Sequence, residues 1–433
     1  MRKKVVVVGM GYVGIPVAAS FAKAGFTVIG INRSKEKVDQ INKGILPIGG
    51  SEPALASLLK KVVKAGRLRA TQSFTECKGA YAIIVAVQTP FDQAAGGPDY
   101  SSLESAINDI GANLSRGTIV VVESTIAPGT IKDVVKPILE SRSGLVAGRD
   151  FYLGTCPERV RPGRLLKNLV ELDRVVGGYG EESTRRMLNL YRRIVRGKLY
   201  GIDYLTAEVV KTVENAYRDT QIAFANEVAL MCETLGVDVY EVIELVNKAP
   251  YRSMHMPGAG VGGHCLPKDS LLLAYSVAGR VEPKLLKVAR SVNDSMPLHL
   301  AKLVEDVLSE MKIPIMNARI ALLGLAYVGD SDDTRNTPAG PILEKLESLG
   351  AEVRIQDPYV KSFQGRAVTH KLEEVLYGAD CLVTVTAHDS YRKISLRRIK
   401  GLMRTPIIVD GRNIFKKNSC LREGIHYRGI GNL

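Results

Sequence analysis

The stretch Met256-Pro257-Gly258-Ala259-Gly260-Val261-Gly262-Gly263-His264-Cys265-Leu266-Pro267-Lys268-Asp269 holds the densest chemistry in the chain. Four glycines within positions 258–263 leave a backbone that can touch a ligand directly. The loop delivers Cys265 among His264, Lys268 and Asp269, and nearby positive charge favours the thiolate. A lone cysteine is by default a small buried hydrophobe. The glycine-rich approach and the charged neighbours favour a nucleophile instead. A Cys-His metal pair is the other reading, but no third or fourth ligand stands at useful spacing, so no metal is expected. Lys211, Asn215 and Arg218, at i, i+4 and i+7, share one stripe of a helical pattern that runs from Thr206 to about Leu235. Beside apolar positions such as Val209, Val213, Tyr217, Phe224 and Val228, that stripe reads as a solvated face.

A second concentration is Gly9-Met10-Gly11-Tyr12-Val13-Gly14. It follows the apolar run Val5 to Val8 and opens a periodic stretch to Ala24-Gly25, after which Phe26 to Ile31 reads as a strand. Strand, GxGxxG and helix in that order predict a dinucleotide site: a tight turn, room for a pyrophosphate, and free amides at a helix N-terminus. Further apolar runs end at Thr89, Thr125 and Glu158, in loops at the strand ends where a parallel sheet binds ligands. Near Leu199 the α/β rhythm breaks. Ile320 to Gly329 then repeats Val5 to Gly14, down to Tyr-Val-Gly, with Ala326 in place of the middle glycine. This copy should hold a nucleotide differently or not at all.

These elements predict an α/β chain with two Rossmann-like, doubly wound domains, 1–198 and 313–433, joined by a central long-helix domain, 199–312. The length of 433 residues suits two or three domains. With 45% hydrophobic and 24% charged residues, the chain is neither disordered nor low in complexity. No apolar run approaches the ~18 residues of a membrane span, and no signal peptide is visible. Six cysteines without a CxxC pair suit the cytoplasm. The net charge of +14 attracts anions, but the basic residues are dispersed, which favours a phosphate-bearing small molecule over nucleic acid.

Through GxGxxG, Cys156-Pro157-Glu158-Arg159-Val160, Lys211-x-x-x-Asn215, Gly262-Gly263-His264-Cys265, Asp333-Thr334-Arg335 and Asp410-Gly411-Arg412, the chain resembles the UDP-sugar 6-dehydrogenases over essentially its whole length. These enzymes oxidise a C6 alcohol to a carboxylate in two NAD-dependent steps. The Gly-Gly-His-Cys and Pro-Glu-Arg-Val forms resemble the UDP-N-acetylhexosamine branch, with UDP-N-acetylmannosamine as the favoured substrate. The resemblance implies Cys265 as the nucleophile that forms a thiohemiacetal and then a thioester. It implies Lys211 as proton acceptor or oxyanion partner, Asn215 alongside it, and Asp269 and Glu158 as residues that steer water. Arg159, Val160, Lys211, Asn215, Arg218, Arg252, Gly262, Tyr327 and Arg412 would hold the sugar nucleotide. Tyr12, Val13, Thr89 and Thr125 would contact the dinucleotide beside Gly9, Gly11 and Gly14, with Arg335 reaching a neighbouring subunit's cofactor. A homodimer through the central helix and a role in polysaccharide biosynthesis are implied as well.

Three departures stand out. Val328 occupies the usual position of a lysine, and Ala259 replaces a proline, which would loosen the loop. Asn32 replaces the aspartate that reads the ribose, and Arg33, Ser34 and Lys37 follow it, resembling the NADP-reading stretch of 6-phosphogluconate dehydrogenases. NADP is therefore expected to be accepted beside NAD. The competing readings are a UDP-glucose 6-dehydrogenase, a β-hydroxyacid dehydrogenase, and a non-catalytic protein that binds nucleotides or nucleic acid.

Overall fold

The computed structural model describes residues 2–49, 52–160 and 163–433. By packing, the chain divides into two compact units, Met1–Glu214 with Lys268–Glu282, and Asn215–Pro267 with Pro283–Leu433. The segment 199–312, read from the sequence as one central domain, is thus shared between both.

The first unit is built on β1 (Lys4–Val8), β2 (Thr27–Ile31), β3 (Leu68–Thr71), β4 (Ala82–Val85), β7 (Ile119–Val122), β8 (Tyr152–Thr155), β9 (Arg174–Gly178) and β10 (Leu199–Asp203). A small hairpin, β5 (Phe91–Asp92) and β6 (Gly97–Pro98), stands apart. The sheet order is β10-β9-β8-β7-β4-β1-β2-β3, with every pair parallel except β8 and β9. Val5 and Val7 enter one apolar layer while Val6 and Val8 enter the other, as in a strand covered on both faces. The chain order reverses where β1 lies between β2 and β4, which opens the crevice that doubly wound sheets use for ligands. The first sheet also extends beyond the expected boundary at residue 198. Strand β10 reads Leu-Tyr-Gly-Ile-Asp at a half-exposed edge, too polar to announce itself as a strand.

The second unit carries β11 (Arg319–Leu323), β12 (Glu352–Gln356), β13 (Ser362–Phe363), β14 (Arg366–Thr369), β15 (Cys381–Thr384), β16 (Ile407–Asp410) and β17 (His426–Gly429). Their order is β13-β14-β12-β11-β15-β16-β17, parallel except for β13 and β14. Here β11 sits at the reversal, between β12 and β15. The likeness to β1 stops at the turn, because the next helix begins only at Ala339 whereas the first copy's begins at Gly14. The intervening loop carries Tyr327, Asp333 and Arg335.

The long helix spans Tyr204–Leu235, and its beginning belongs to the first unit and the remainder to the second. The solvated-face reading of Lys211 is overturned: that side chain is 7% exposed, while Tyr217 and Phe224 are 63% and 58% exposed. Among the described residues, no helix is long and apolar enough to cross a membrane.

Candidate functional site

In the first unit the three glycines of the N-terminal turn do different work. Gly9 adopts φ +94°, and a Cβ there would lie 2.4 Å from the Ala86 carbonyl oxygen. A Cβ on Gly14 would fall 1.8 Å from the Gly9 oxygen, so these two permit close packing. A Cβ on Gly11 would meet only open space, the room a phosphate needs. Helix Gly14–Lys23 starts at Val13 without a side-chain cap. The Ile15 amide already donates to the Gly11 carbonyl at 3.1 Å and position 16 is a proline, so an anion at this helix start would be met by amides that precede Ile15. On both counts the turn fits a dinucleotide.

At the end of β2, Asn32 turns inward on its own loop: its Oδ1 accepts from the Ser34 amide at 2.9 Å. Ser34 caps helix Lys35–Asn42 by accepting from the Lys37 amide, so its hydroxyl oxygen is already engaged. The exposed Arg33 donates to Ser102 Oγ at 3.1 Å. Thr89 donates to the Thr125 carbonyl at 2.6 Å, tying the loops after β4 and β7 together.

After β8, Glu158 and Lys211 meet. Lys211 Nζ donates to the Glu158 carbonyl at 2.6 Å and stands 3.9 Å from its carboxylate, whose other oxygen accepts from the Val160 amide. Both side chains are buried. Arg159 forks onto Glu214 and donates to the Asp173 carbonyl, so its guanidinium is committed within the protein. Lys268 and Asp269 form a buried pair at 3.0 Å on helix Leu266–Ser276.

In the second unit the glycine-rich loop lies along the carboxyl ends of β11, β15 and β16. The Ala259 amide donates to the Gly411 carbonyl at 3.0 Å, and the Gly263 amide to the Arg335 carbonyl at 2.8 Å. Asn336 Nδ2 donates to the Gly263 carbonyl at 3.1 Å. Arg412 donates to the carbonyls of Val385 and Gly260, at 2.9 and 3.0 Å. Burial pulls its pKa down from the ordinary guanidinium value. A Cβ on Gly258 would sit 2.5 Å from Arg412 Nη1, and one on Gly262 would sit 2.5 Å from Tyr327 Cβ. Glycine is thus what lets the loop close on Arg412 and Tyr327. Ala259 does not loosen it, because a proline there would lack the amide that bonds Gly411. The loop ends at Cys265, a partly exposed thiol outside any disulfide.

Asp410 underpins this arrangement, accepting from the amides of Arg412, Ile414 and Phe415 and from Thr384 Oγ1. Arg335 is held by Asp333, with its Nε 2.8 Å from Oδ1. Asn215 and Arg218 are partly exposed on the long helix, and Val328 faces solvent. Arg252 is exposed, with its Nη1 3.5 Å from the carbonyls of Pro250 and Tyr251. Sequence reasoning missed the buried Glu123, Arg174 and Tyr191. The only signal for them was an arginine heading the otherwise apolar Val175-Val176-Gly177-Gly178.

Residues 3–195 match the UDP-glucose/GDP-mannose dehydrogenase family, NAD binding domain; residues 205–295 match its central domain and 321–417 its UDP binding domain. The chain is 42% identical over 429 residues to a UDP-N-acetyl-D-mannosamine dehydrogenase of Pyrococcus horikoshii, covering 99% of each. A solved UDP-D-ManNAc dehydrogenase structure from that organism superposes with a TM-score of 0.93 at 41% identity, covering 99% of both chains. An NDP-N-acetyl-D-galactosaminuronic acid dehydrogenase from Methanosarcina mazei Go1 is also 41% identical, with a TM-score of 0.87, covering 99% of this chain and 95% of that one.

Proposed function

The chain belongs to the UDP-glucose/GDP-mannose dehydrogenase family, and from that premise we propose that it oxidises the C6 hydroxyl of a UDP-N-acetylhexosamine, UDP-N-acetylmannosamine, to the carboxylate. The observation that carries this reading is the glycine-rich loop, which is bonded to Arg412 and the ends of the second sheet and ends at a partly exposed thiol. NAD, when bound, supplies a hydride acceptor for each of the two oxidations. At the first, Lys211 takes up the C6 hydroxyl proton or balances the developing oxyanion, with Asn215 beside it. Cys265 then adds through Sγ to the aldehyde carbon, and the resulting thiohemiacetal retains the hydrogen that the second oxidation removes. Hydrolysis of the thioester breaks the C–S bond and returns the thiol, with Asp269 and Glu158 steering water. Arg412, Tyr327, Gly262, Arg218 and Arg252 serve the sugar nucleotide, together with the Arg159-Val160 backbone. In this reading the segment 1–198 holds the dinucleotide and adds Glu158, Arg159 and Val160 on the substrate side, 199–312 supplies Lys211, Asn215 and the Cys265 loop, and 313–433 holds the UDP moiety.

NADP is a second cofactor in this reading. The neutral Asn32 lacks the charge that repels a 2′-phosphate, and Arg33 presents an exposed fork of donors. Tyr217, Phe224 and Met231, spaced by sevens and exposed with Leu235 on the long helix, support a homodimer through that helix. Cys77, Cys156, Cys232, Cys381 and Cys420 are buried free thiols, which supports a reducing cytoplasm.

The test is a panel of UDP-N-acetylmannosamine, its gluco and galacto epimers and UDP-glucose, each with NAD and with NADP. The expected result is two reduced cofactors per sugar, fastest with UDP-N-acetylmannosamine, and a loss of at least ~100-fold in Cys265→Ser. One reduced cofactor per sugar with free aldehyde, or a preference for UDP-glucose, would overturn the reading.

A further inference from the structure

Beneath the loops after β7 and β8 lies a charged cluster that the proposed chemistry leaves unused. Glu123 directly follows β7 and is 0% exposed; Arg174 opens β9 and is 1% exposed; Tyr191, on helix Glu181–Tyr191, is 0% exposed. The antiparallel pairing of β8 with β9 brings Arg174 to the end of the sheet where β8 releases the Cys156–Arg159 turn. There Arg174 Nη2 donates to the Cys156 carbonyl at 2.7 Å and stands 3.3 Å from Glu123 Oε2. Its guanidinium carbon lies 4.9 Å from the Tyr191 ring centroid, and the Tyr191 hydroxyl donates to Glu123 Oε1 at 2.5 Å.

Such a cluster is a poor source of stability, because apolar side chains of equal volume hold a core as well or better. Its geometry does something else. The arginine is locked in orientation by a carboxylate and a ring, and it grips the turn by a backbone carbonyl. Two residues on, the same turn offers the Glu158 carbonyl to Lys211 Nζ at 2.6 Å. The rigid path therefore runs from Glu123 and Tyr191 through Arg174 to the turn, and from the turn to the ammonium.

We propose that Arg174 is a positioning residue for Lys211: it fixes the Cys156–Arg159 turn whose Glu158 carbonyl sets where the ammonium stands. This rests on the assignment of Lys211 to the C6 oxygen. A group so placed acts on the rate of the chemical step, since a displacement of about 1 Å can cost ~100-fold. Substrate affinity, which depends on other residues, should change little.

The experiment compares kcat and KM for Arg174→Lys and for the charge-neutral pair Glu123→Gln with Arg174→Met, each with Lys211 present and in a Lys211→Ala background. The neutral pair leaves no orphaned buried charge, so a folded enzyme is obtained even where a single substitution is harmful. With Lys211 present, kcat should fall at least ~10-fold while KM for the UDP-sugar stays within ~2-fold. In the Lys211→Ala background the same changes should cost nothing further, because residues acting as one unit are not additive. Equal losses in both backgrounds mean a structural role only and overturn the proposal, as does unchanged kcat with Lys211 present. If Lys211→Ala alone leaves kcat intact, the assignment of Lys211 fails first and this inference fails with it.

Discussion

Lys211 is a buried cation and Arg412 a partly buried one; their partners differ, and the difference predicts separate kinetic phenotypes. Lys211 sits on a carbonyl and near a carboxylate, and the proposed reaction assigns it to the charge that develops at the reacting oxygen. Lys211→Ala should lower kcat by about 100-fold or more. Arg412 is spread over two backbone carbonyls at the end of the second sheet. Arg412→Ala should chiefly raise KM for the UDP-sugar, by about 10-fold or more, and steady-state kinetics on both variants separates the two roles. Equal and small effects would return both to structural roles. Arg33 is the third residue with a distinct expectation. It is exposed, and its contact with Ser102 is a hydrogen bond to an uncharged hydroxyl, which an anionic phosphate can replace. Arg33→Ala should cost NADP on the order of 1.5 to 3 kcal/mol in kcat/KM and leave NAD nearly unchanged. An enzyme ~100-fold better with NAD and indifferent to this substitution refutes the NADP reading.

At the scale of the element, the glycine-rich loop is shaped by what it cannot carry. A methyl on Gly262 would lie 2.5 Å from Tyr327 Cβ and 2.6 Å from the Asn336 carbonyl oxygen, and the second contact is backbone that cannot rotate away. Gly262→Ala should therefore lift the segment that ends at Cys265 and reduce kcat/KM by about 10-fold or more, with Tm falling by only a few degrees. The long helix makes a different prediction at its start. The Glu208 carboxylate accepts from the amides of Gly129 and Ile131, at 2.7 and 2.9 Å, and burial pushes its pKa up to about 7. Between the ordinary carboxylate value and 7, the folded protein holds a proton that the unfolded chain has released. This contribution is fully present below pH 4.5, the usual glutamate value, and is lost as pH rises through about 7. The penalty at high pH is about 3 kcal/mol. Urea unfolding should give wild type and Glu208→Gln similar stability at about pH 5, with the variant ahead at about pH 8.5. A difference that does not change with pH would remove Glu208 as its source.

For the whole molecule, the exposed apolar stripe of the long helix is the feature a solitary chain does not explain. Tyr217, Phe224 and Met231 recur every seven residues, the spacing at which a helix returns nearly the same face. Phe224→Arg should convert a dimer into a monomer in light scattering, because a charge at the centre of an apolar contact is left unpaired. A wild-type chain that is already monomeric, or a variant that keeps a dimer's mass, overturns the proposed dimer through this helix. The net charge of +14 has a separate consequence: a diphosphate substrate meets an attractive field on approach, without any contribution to the fold.

What the sequence determined by itself is what contiguous residues encode. The run Val5 to Gly14 announces strand, turn and helix because alternation, glycine placement and helical period are local properties. The repeat at Ile320, and the loop from Gly258 to Cys265, are legible for the same reason. The alanine at position 326 was legible too, as a departure from the first copy's middle glycine, whereas the late start of the following helix at Ala339 was not. What only the tertiary structure decided is which residues meet across distance. The period of the long helix defines two faces but not which is covered. The answer is a buried Lys211 beside an exposed Tyr217, because a carbonyl 53 residues away in sequence satisfies the ammonium. Strand β10 was invisible because an edge needs no apolar run. Glu123, Arg174 and Tyr191 were invisible because a buried charge is tolerable only with its partners, and those partners come from three separate elements.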